Sequence, residues 1–202
     1  MKALDLFCGA GGASMGLYNA GFDVIGVDIQ PQANYPFEFV EANAMMFPLD
    51  GYDLIWTSPP CQAFTAYRRR HAHVGDYPNL IGAVRTRLRV GGTPYVIENV
   101  LGSPLERVSQ LCGSSFGLDI RRHRLFETSF PVLTPSCNHG WRARRRFAPA
   151  TNRKNKRDTV EIGVWRIPLD VQQRAMEIDW MTREELSQAI PPAYSKFLAN
   201  QL

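Results

Sequence analysis

Short apolar segments that each end in a polar or glycine-rich turn recur through the first hundred residues of the chain. Five of them have the composition of strands: residues 2–7, 22–27, 37–40, 52–57 and 95–97. Apolar residues at helical spacing occupy residues 13–20, before Gly21, and residues 80–90, before Gly91-Gly92. This alternation predicts an α/β fold with a mostly parallel, doubly wound sheet, whose functional groups lie at the carboxyl ends of the strands.

The bulk composition is that of a globular protein with one domain, or one domain and a small appendage. The chain has 202 residues, of which 45% are hydrophobic and 21% are charged. No apolar run approaches the roughly 20 residues that a membrane helix needs. The chain begins directly in a strand-like segment, without a basic and apolar leader, so we expect a cytoplasmic protein.

The positive charge is concentrated in one stretch. Residues 142–157 carry 8 of the 23 lysines and arginines and no acidic residue, so the rest of the chain has a net charge of −4 although the whole has +4. Such a stretch is typical of a phosphate-binding surface and also of a solvated loop. We therefore predict a core over residues 1–130 and a short, irregular basic insertion over 131–160. Residues 161–202 are predicted to be C-terminal helices that complete the core: one at 169–176, one after a Thr182–Glu185 capping box and one after Pro191-Pro192.

The four cysteines, Cys8, Cys61, Cys112 and Cys137, lie far apart in the sequence. In a chain without a secretion signal this spacing predicts free thiols. Cys137 and His139 form a C-x-H pair that Cys112 could join on a metal ion. No second close pair completes a four-ligand site, so we expect no metal.

The first turn of the predicted sheet is rich in glycine, with the sequence DLFCGAGG at residues 5–12. Glycines allow the backbone to approach a ligand closely, and the following helix offers free N–H groups. Asp28, at the end of the second predicted strand, could accept the ribose hydroxyls of an adenosine-containing cofactor. Together these features favour a nucleoside cofactor, without separating a dinucleotide from S-adenosylmethionine.

A cysteine follows two prolines where the fourth predicted strand ends, in the segment Ser58-Pro59-Pro60-Cys61-Gln62. Prolines stiffen the turn, and the polar residues that follow argue against the buried, inert role of most lone cysteines. We interpret Cys61 as a reactive thiolate.

Charged residues border two further apolar segments. Glu98-Asn99 ends one of them and would point toward the same crevice, where the glutamate either has a raised pKa or caps neighbouring amides. Arg121-Arg122-His123-Arg124 precedes the other, and its arginines could clamp a phosphate or a base carbonyl.

Four motifs, in their order and spacing, resemble those of the cytosine-5 DNA methyltransferases, which use S-adenosylmethionine. They are Phe7-x-Gly9-x-Gly11, Pro59-Pro60-Cys61-Gln62, Glu98-Asn99-Val100 and Arg122-x-Arg124. The resemblance covers about residues 1–130 and, more weakly, residues 180–198. It implies a Rossmann-like class I methyltransferase fold.

The resemblance also implies a mechanism and a set of site residues. Cys61 would attack carbon 6 of cytosine, so that carbon 5 becomes nucleophilic and takes the methyl group. Protonated Glu98 would bind N3 and the 4-amino group, and Arg124, supported by Arg122, would bind O2 and steady the thiolate. The implied cofactor-binding residues are Phe7, Gly9, Gly11, Gly12, Asp28, Ile29, Asn43, Ala44 and Pro60. The implied substrate-binding residues are Pro59, Gln62 and Asn99. The charge of the basic stretch adds Arg142, Arg144, Arg145 and Arg146 as candidate phosphate-binding residues.

Three positions depart from the family pattern. Asn43 stands where an aspartate usually binds the adenine amino group, and its amide oxygen can still accept that hydrogen bond. Ile120 replaces a glutamine before the arginine pair, and Gln188 replaces an asparagine before the double proline. None of these changes removes a catalytic group, so we expect activity to survive.

The larger departure is that the chain resembles a compact member with almost no target-recognition domain. An enzyme that flips a base must hold the opened duplex, and reading a sequence needs side chains that reach base edges. We favour DNA as the substrate, with the basic insertion as a backbone clamp. The alternative is a free cytidine nucleotide such as dCMP. A third hypothesis, less favoured, is an inactive accessory protein that only binds nucleic acid or a partner enzyme.

Overall fold

A seven-stranded sheet forms the centre of the computed structural model, which describes residues 1–64, 78–139 and 159–202. Its strands are β1 (Lys2–Leu6), β2 (Asp23–Asp28), β3 (Glu38–Glu41), β4 (Leu54–Thr57), β5 (Tyr95–Asn99), β6 (Ser109–Leu111) and β7 (Arg124–Thr128). The strand order is β3-β2-β1-β4-β5-β7-β6. The first five strands pair in parallel, and β7 lies antiparallel between β5 and β6. The predicted mostly parallel, Rossmann-like α/β fold is therefore confirmed.

Five α-helices accompany the sheet in the described part of the chain. They are α1 (Gly12–Tyr18), α2 (Ile81–Gly91), α3 (Leu169–Met176), α4 (Arg183–Gln188) and α5 (Pro192–Ala199). Every helix predicted from the sequence is present, and Thr182 and Glu185 make both hydrogen bonds of the predicted capping box. One boundary differs, because β5 continues through Glu98 and Asn99 instead of ending before them. Within the described ranges, no helix is both long and apolar enough to cross a membrane.

Both faces of the sheet are covered, as alternation of side chains along parallel strands requires. One face packs against α1 and the three C-terminal helices, and its sheet residues include Ala3, Leu54, Trp56 and Val96. The other face packs against α2 and the loop after β3, and its sheet residues include Leu4, Leu6, Ile55 and Ile97. Covered on both sides, the sheet offers the ends of its strands for a functional site.

The C-terminal helices pack directly on α1. A Cβ atom at Gly16 would overlap the carbonyl oxygen of Pro192, so the two helices approach closely only because α1 has a glycine there. Ser195 Oγ donates to the Ala13 carbonyl at 2.7 Å. Residues 140–158, which include most of the predicted basic insertion, lie outside the described residues.

Candidate active site

Most of the predicted site residues that the structure describes lie at the carboxyl ends of the parallel strands, beside the central pair β1 and β4. The strand order reverses at this pair, and open α/β sheets bind their ligands at such a reversal. The backbone N–H of Ser58 donates to the carbonyl of Leu6 at 3.1 Å. The glycine-rich turn after β1 therefore lies next to the cysteine turn after β4.

Among the three glycines predicted to bind a cofactor, Gly9 alone borders open space. Its φ is +50°, and a Cβ atom built there would meet nothing within 4 Å. At Gly11 a Cβ atom would lie 3.0 Å from the Tyr35 ring, and at Gly12 it would overlap the Ile190 carbonyl oxygen. The structure thus explains Gly11 and Gly12 by packing, whereas Gly9 leaves room for a ligand.

Asp28 ends β2 with its carboxylate fixed by two backbone donors. Oδ2 accepts from the Gly9 N–H at 3.0 Å and Oδ1 accepts from the Gln30 N–H at 3.1 Å. Each oxygen keeps a second lone pair, so the carboxylate can still accept two hydroxyl groups. The neighbouring Ile29 is 62% exposed and provides an apolar surface beside it. Phe7, at φ +58°, is half-buried in the same turn.

The two predicted residues after β3 differ in their surroundings. Asn43 is exposed, and its Oδ1 already accepts from the Met45 N–H at 2.9 Å, so one lone pair remains for a ligand. Ala44 is buried in the core on the α2 side, and its carbonyl accepts from Arg87 at 2.8 Å. The side chain of Ala44 therefore contributes to packing.

A buried carboxylate that sequence reasoning missed lies in β1. Asp5 is fully buried, and its Oδ2 accepts from Ser14 Oγ, which in turn accepts from the Tyr35 hydroxyl at 2.8 Å. Its Oδ1 has no hydrogen-bond partner within the described residues. The pKa of Asp5 is raised to about 7, chiefly by burial. The charges of Asp28 and Glu98 also raise it, whereas the hydrogen bond from Ser14 lowers it. The sequence signal for this buried carboxylate was an acidic residue inside an apolar strand, four positions before Gly9.

The turn that carries Cys61 is fastened to β5 by Asn99. This side chain is buried, and its Nδ2 donates to the Pro59 carbonyl at 2.8 Å while its Oδ1 accepts from the Val100 N–H at 3.0 Å. Pro59 is buried and Pro60 half-buried, whereas Gln62 is exposed directly after Cys61. Asn99, expected to bind substrate, thus holds the turn that positions the thiol.

Glu98 is buried at the end of β5 and faces Arg124, the first residue of β7. Arg124 Nε lies 3.1 Å from Glu98 Oε1, but outside the angles of a hydrogen bond, and Oε1 has no hydrogen-bond partner in the described part of the chain. Burial raises the pKa of Glu98, whereas Arg124, a hydrogen bond from Ser58 and Arg122 lower it. The predicted shift toward a protonated carboxyl group therefore agrees with this structure.

The half-buried Cys61 lies close enough to Glu98 and both arginines to be affected by their charges. Burial raises the pKa of its thiol, and Glu98 raises it further. Arg124 and Arg122 lower it, as does a backbone hydrogen bond. In this structure the thiol form is therefore favoured over the thiolate that the sequence suggested, and the charge of Glu98 is one of the two causes.

Arg122 is held in place by the C-terminal end of α4. Its Nε donates to the Ala189 carbonyl at 2.8 Å and its Nη2 to the Ser187 carbonyl at 2.7 Å. Burial lowers the pKa of Arg122 to about 9. The Arg122 guanidinium is thus hydrogen-bonded to backbone carbonyls, and its effect on Cys61 is that its positive charge lowers the pKa of the thiol. Arg142, Arg144, Arg145 and Arg146 lie outside the described residues.

Comparisons with known proteins match the part of the chain that holds this site. A family model described as C-5 cytosine-specific DNA methylase matches residues 1–102. The Type II methyltransferase M.HgiDI of Herpetosiphon aurantiacus is 27% identical over a 131-residue alignment, which covers 58% of this chain and 42% of that protein. The Type II methyltransferase M.HgiGI of the same organism is 27% identical over a 124-residue alignment, which covers 54% of this chain and 98% of that protein. The chain thus covers less than half the length of M.HgiDI.

Solved structures show a more distant similarity. The S. pombe Dnmt2 methyltransferase is 19% identical, with a TM-score of 0.43 over 66% of this chain and 51% of that one. Spodoptera frugiperda DNMT2 is 22% identical, with a TM-score of 0.41 over 62% of this chain and 48% of that one. The family model matches half of the chain and includes the glycine turn, Cys61 and Glu98. The chain therefore belongs to the C-5 cytosine-specific DNA methylase family.

Proposed function

We propose that this protein transfers a methyl group from S-adenosylmethionine to carbon 5 of cytosine, with DNA as the favoured substrate. One observation carries the proposal: Cys61 follows β4, Glu98 lies in the adjacent strand β5 and faces Arg124, and the charges of Glu98 and Arg124 act on the half-buried thiol. A thiol, a carboxyl group of raised pKa and a fixed cation are what addition to a cytosine ring requires.

The residues at the ends of β1 and β2 fit S-adenosylmethionine, which supplies an electrophilic methyl group when bound. The open space at Gly9 admits a ligand, and the free lone pairs of Asp28 suit the ribose hydroxyls. The unpaired Oδ1 of Asp5 suits the ammonium group of the methionine part. Phe7 and Ile29 offer apolar surface to the adenosine, and Asn43 keeps one acceptor for the adenine amino group.

Cys61 acts as the nucleophile. Its sulfur forms a bond to carbon 6 of the cytosine, and the electron pair of the 5,6 double bond moves to carbon 5. Carbon 5 takes the methyl group, a water molecule removes the carbon 5 proton, and the sulfur–carbon bond breaks to restore the ring. Asn99 holds the Pro59 turn so that the thiol approaches carbon 6 from a fixed position.

Glu98 and Arg124 stabilise the ring during the addition. A protonated Glu98 can donate to N3 and accept from the 4-amino group, and within the described residues its Oε1, which faces Arg124, accepts no hydrogen bond. Arg124, which faces Glu98, binds O2 in this proposal. Protonation of Glu98 also removes the negative charge that raises the pKa of Cys61, so the two groups favour the thiolate together.

The substrate is proposed from the family and from the charge of the chain. Residues 142–157 carry 8 basic residues and no acid, and we propose that Arg142, Arg144, Arg145 and Arg146 bind DNA phosphates. The same arginines could bind the phosphate of a free nucleotide, so dCMP is kept as the second substrate to test.

Methyl transfer from labelled S-adenosylmethionine tests the proposal on duplex DNA, single-stranded DNA, RNA and dCMP in parallel. We expect label on DNA, and none with Cys61→Ser, which should still bind the cofactor. Label on dCMP with none on polymers would overturn DNA as the substrate. Cofactor binding without transfer to any of the four substrates would identify an inactive binding protein.

A second measurement tests the covalent bond. A cytosine with fluorine at carbon 5 cannot lose that substituent as a proton, so the Cys61 adduct should accumulate and survive denaturation. We expect a protein–DNA adduct with the wild type and none with Cys61→Ser. An adduct of equal yield in Cys61→Ser would assign the nucleophile elsewhere.

A further inference from the structure

Two cysteines and two histidines converge where the paired strands β6 and β7 lead into the loop that joins them. The Sγ atoms of Cys112 and Cys137 and a ring nitrogen of each of His123 and His139 all lie within 4.8 Å of one another. We propose that these four side chains bind a structural zinc ion. This proposal does not depend on the proposed function.

The sequence led us to expect no metal, and the structure overturns the reason for that expectation. Cys137-x-His139 is the only place in the sequence where a cysteine and a histidine lie close together, and Cys112 alone does not complete a site. His123 was overlooked because it lies among arginines assigned to the active site. Cys112 follows β6 and His123 precedes β7, so the pairing of these two strands brings together residues that are far apart in the sequence.

The distances between donor atoms fit zinc. Bonds of about 2.3 Å to sulfur and about 2.0–2.1 Å to nitrogen, arranged as a tetrahedron, place sulfur and nitrogen about 3.5 Å apart. Cys112 Sγ lies 3.3 Å from His139 Nε2, and Cys137 Sγ lies 3.4 Å from His123 Nε2. Two thiolates with two imidazoles are a common donor set for tetrahedral zinc.

Residues other than the four proposed metal ligands hold the two halves of the cluster together. On the hairpin side, Leu111 pairs with Arg124 and the Gly113 N–H donates to the Arg121 carbonyl at 2.8 Å, so Cys112 and His123 face each other across the strands. On the other side, two hydrogen bonds tie the segment around Cys137 to the 3-10 helix Gly113–Phe116. Ser115 Oγ donates to the Ser136 carbonyl at 2.9 Å, and the Asn138 N–H donates to Ser114 Oγ at 3.1 Å.

Two hydrogen-bonding side chains lie beside the sulfur atoms. Cys112 is fully buried, with Ser114 Oγ 3.1 Å from its sulfur. Gln110 Nε2 lies 3.9 Å from the sulfur of Cys137 and can donate to it. A buried thiolate is costly without a cation, and hydrogen bonds from a second layer of residues are usual around zinc ligands.

The site would fix the end of the loop between β6 and β7, next to two proposed catalytic arginines: Arg122 in the loop and Arg124 at the start of β7. His123 lies between Arg122 and Arg124, and His139 comes directly before residue 140, where the sequence leads into the basic stretch. A zinc ion would therefore join the catalytic loop to the residue from which the proposed DNA-binding arginines follow. Each zinc ion bound displaces up to two thiol protons.

Metal analysis of the full chain, produced without a histidine tag, tests the site. We expect about one zinc ion per chain by elemental mass spectrometry. Cobalt(II) added to the zinc-free protein should give the intense visible absorption of a tetrahedral ion together with a thiolate charge-transfer band. Metal-free protein that fails to bind cobalt overturns the proposal, as does a Cys112–Cys137 disulfide found by intact mass under non-reducing conditions.

Variants separate the four ligands from other thiols. Cys137→Ser and His139→Ala should each lose zinc, and Cys61→Ser, which removes a thiol outside the cluster, should retain it. His139→Cys keeps a zinc donor and should retain zinc as well, so it shows whether loss in His139→Ala reflects the ligand or the fold. Full zinc content in both Cys137→Ser and His139→Ala would overturn the proposal.

Discussion

The thiol of Cys61 lies among charges of both signs, so its pKa reports directly on the proposed site. Burial and Glu98 raise that pKa, and Arg124 and Arg122 lower it. Glu98→Gln removes a negative charge, so we expect a lower pKa for Cys61, and Arg124→Gln should give a higher one. The pH dependence of iodoacetamide alkylation, with the modified peptide identified by mass, measures both. A higher Cys61 pKa in Glu98→Gln would contradict this arrangement.

In Glu98→Gln, turnover should fall although the Cys61 thiol becomes more reactive. Addition needs a Cys61 thiolate, which high pH favours, and a protonated Glu98, which low pH favours, so the rate should pass through a maximum with pH. The glutamine side chain has the shape of glutamate but no acidic proton to donate. We therefore expect kcat to fall by about 10²–10⁴-fold in Glu98→Gln while the Cys61 thiol becomes easier to ionise. Equal kcat in the two proteins would exclude Glu98 as the acid.

Asp5 is expected to lower the stability of the fold in exchange for a ligand contact. Its pKa is raised from 3.8 to about 7, so the folded state holds the proton more tightly than the unfolded state. The resulting loss of folding stability is close to zero below pH 3.8, grows as the pH rises toward 7 and is complete above pH 7. At about 1.4 kcal/mol per pKa unit, the upper limit is about 4 kcal/mol.

Asp5→Asn should therefore raise the free energy of unfolding at pH 8 and change it little at pH 4. Urea denaturation at both pH values measures the difference, and Asp50→Asn, at an exposed position, is the control. The same change should weaken binding of S-adenosylmethionine, measured by calorimetry. A variant that gains stability at both pH values equally would show that the Asp5 charge is not the cause.

At the scale of elements, the active site depends on how β4 and β5 are joined. The buried Asn99 of β5 donates to the Pro59 carbonyl at the end of β4, and Asn99→Ala leaves that carbonyl without its partner. We expect a loss of about 1–3 kcal/mol in stability and a fall in kcat that exceeds the change in KM for the cofactor. Asn19→Ala, at the exposed C-terminal end of α1, is the matched control and should change neither.

Elements that depend on local sequence were predictable, and contacts that depend on strand register were not. The β1 strand, the glycine turn and the α4 capping box follow from residues within a few positions of one another. The Asp5–Ser14–Tyr35 chain and the pairing of Cys112 with His123 join residues from separate elements. Their contacts follow from side-chain packing and strand register, which periodicity alone does not contain.

At the scale of the whole molecule, the charge distribution indicates where the proposed DNA substrate would be bound. The described residues contain exposed arginines that are already paired, such as Arg166 with Glu161 and Arg174 with Asp170. The proposed phosphate contacts lie instead in residues 142–157, where no acidic residue competes. Arg144→Gln/Arg145→Gln and Arg166→Gln/Arg174→Gln remove equal charge from these two regions.

The salt dependence of DNA binding distinguishes the two double variants. Each phosphate contact contributes about 0.9 to the slope of log K against log salt concentration on duplex DNA. If both arginines bind phosphates, Arg144→Gln/Arg145→Gln should reduce the magnitude of that slope by about 1.8. Arg166→Gln/Arg174→Gln has the same change in net charge and should leave the slope unchanged, because no phosphate contact is lost. Equal reductions in both variants would mean that net charge alone attracts the DNA, and that the basic stretch is not the clamp.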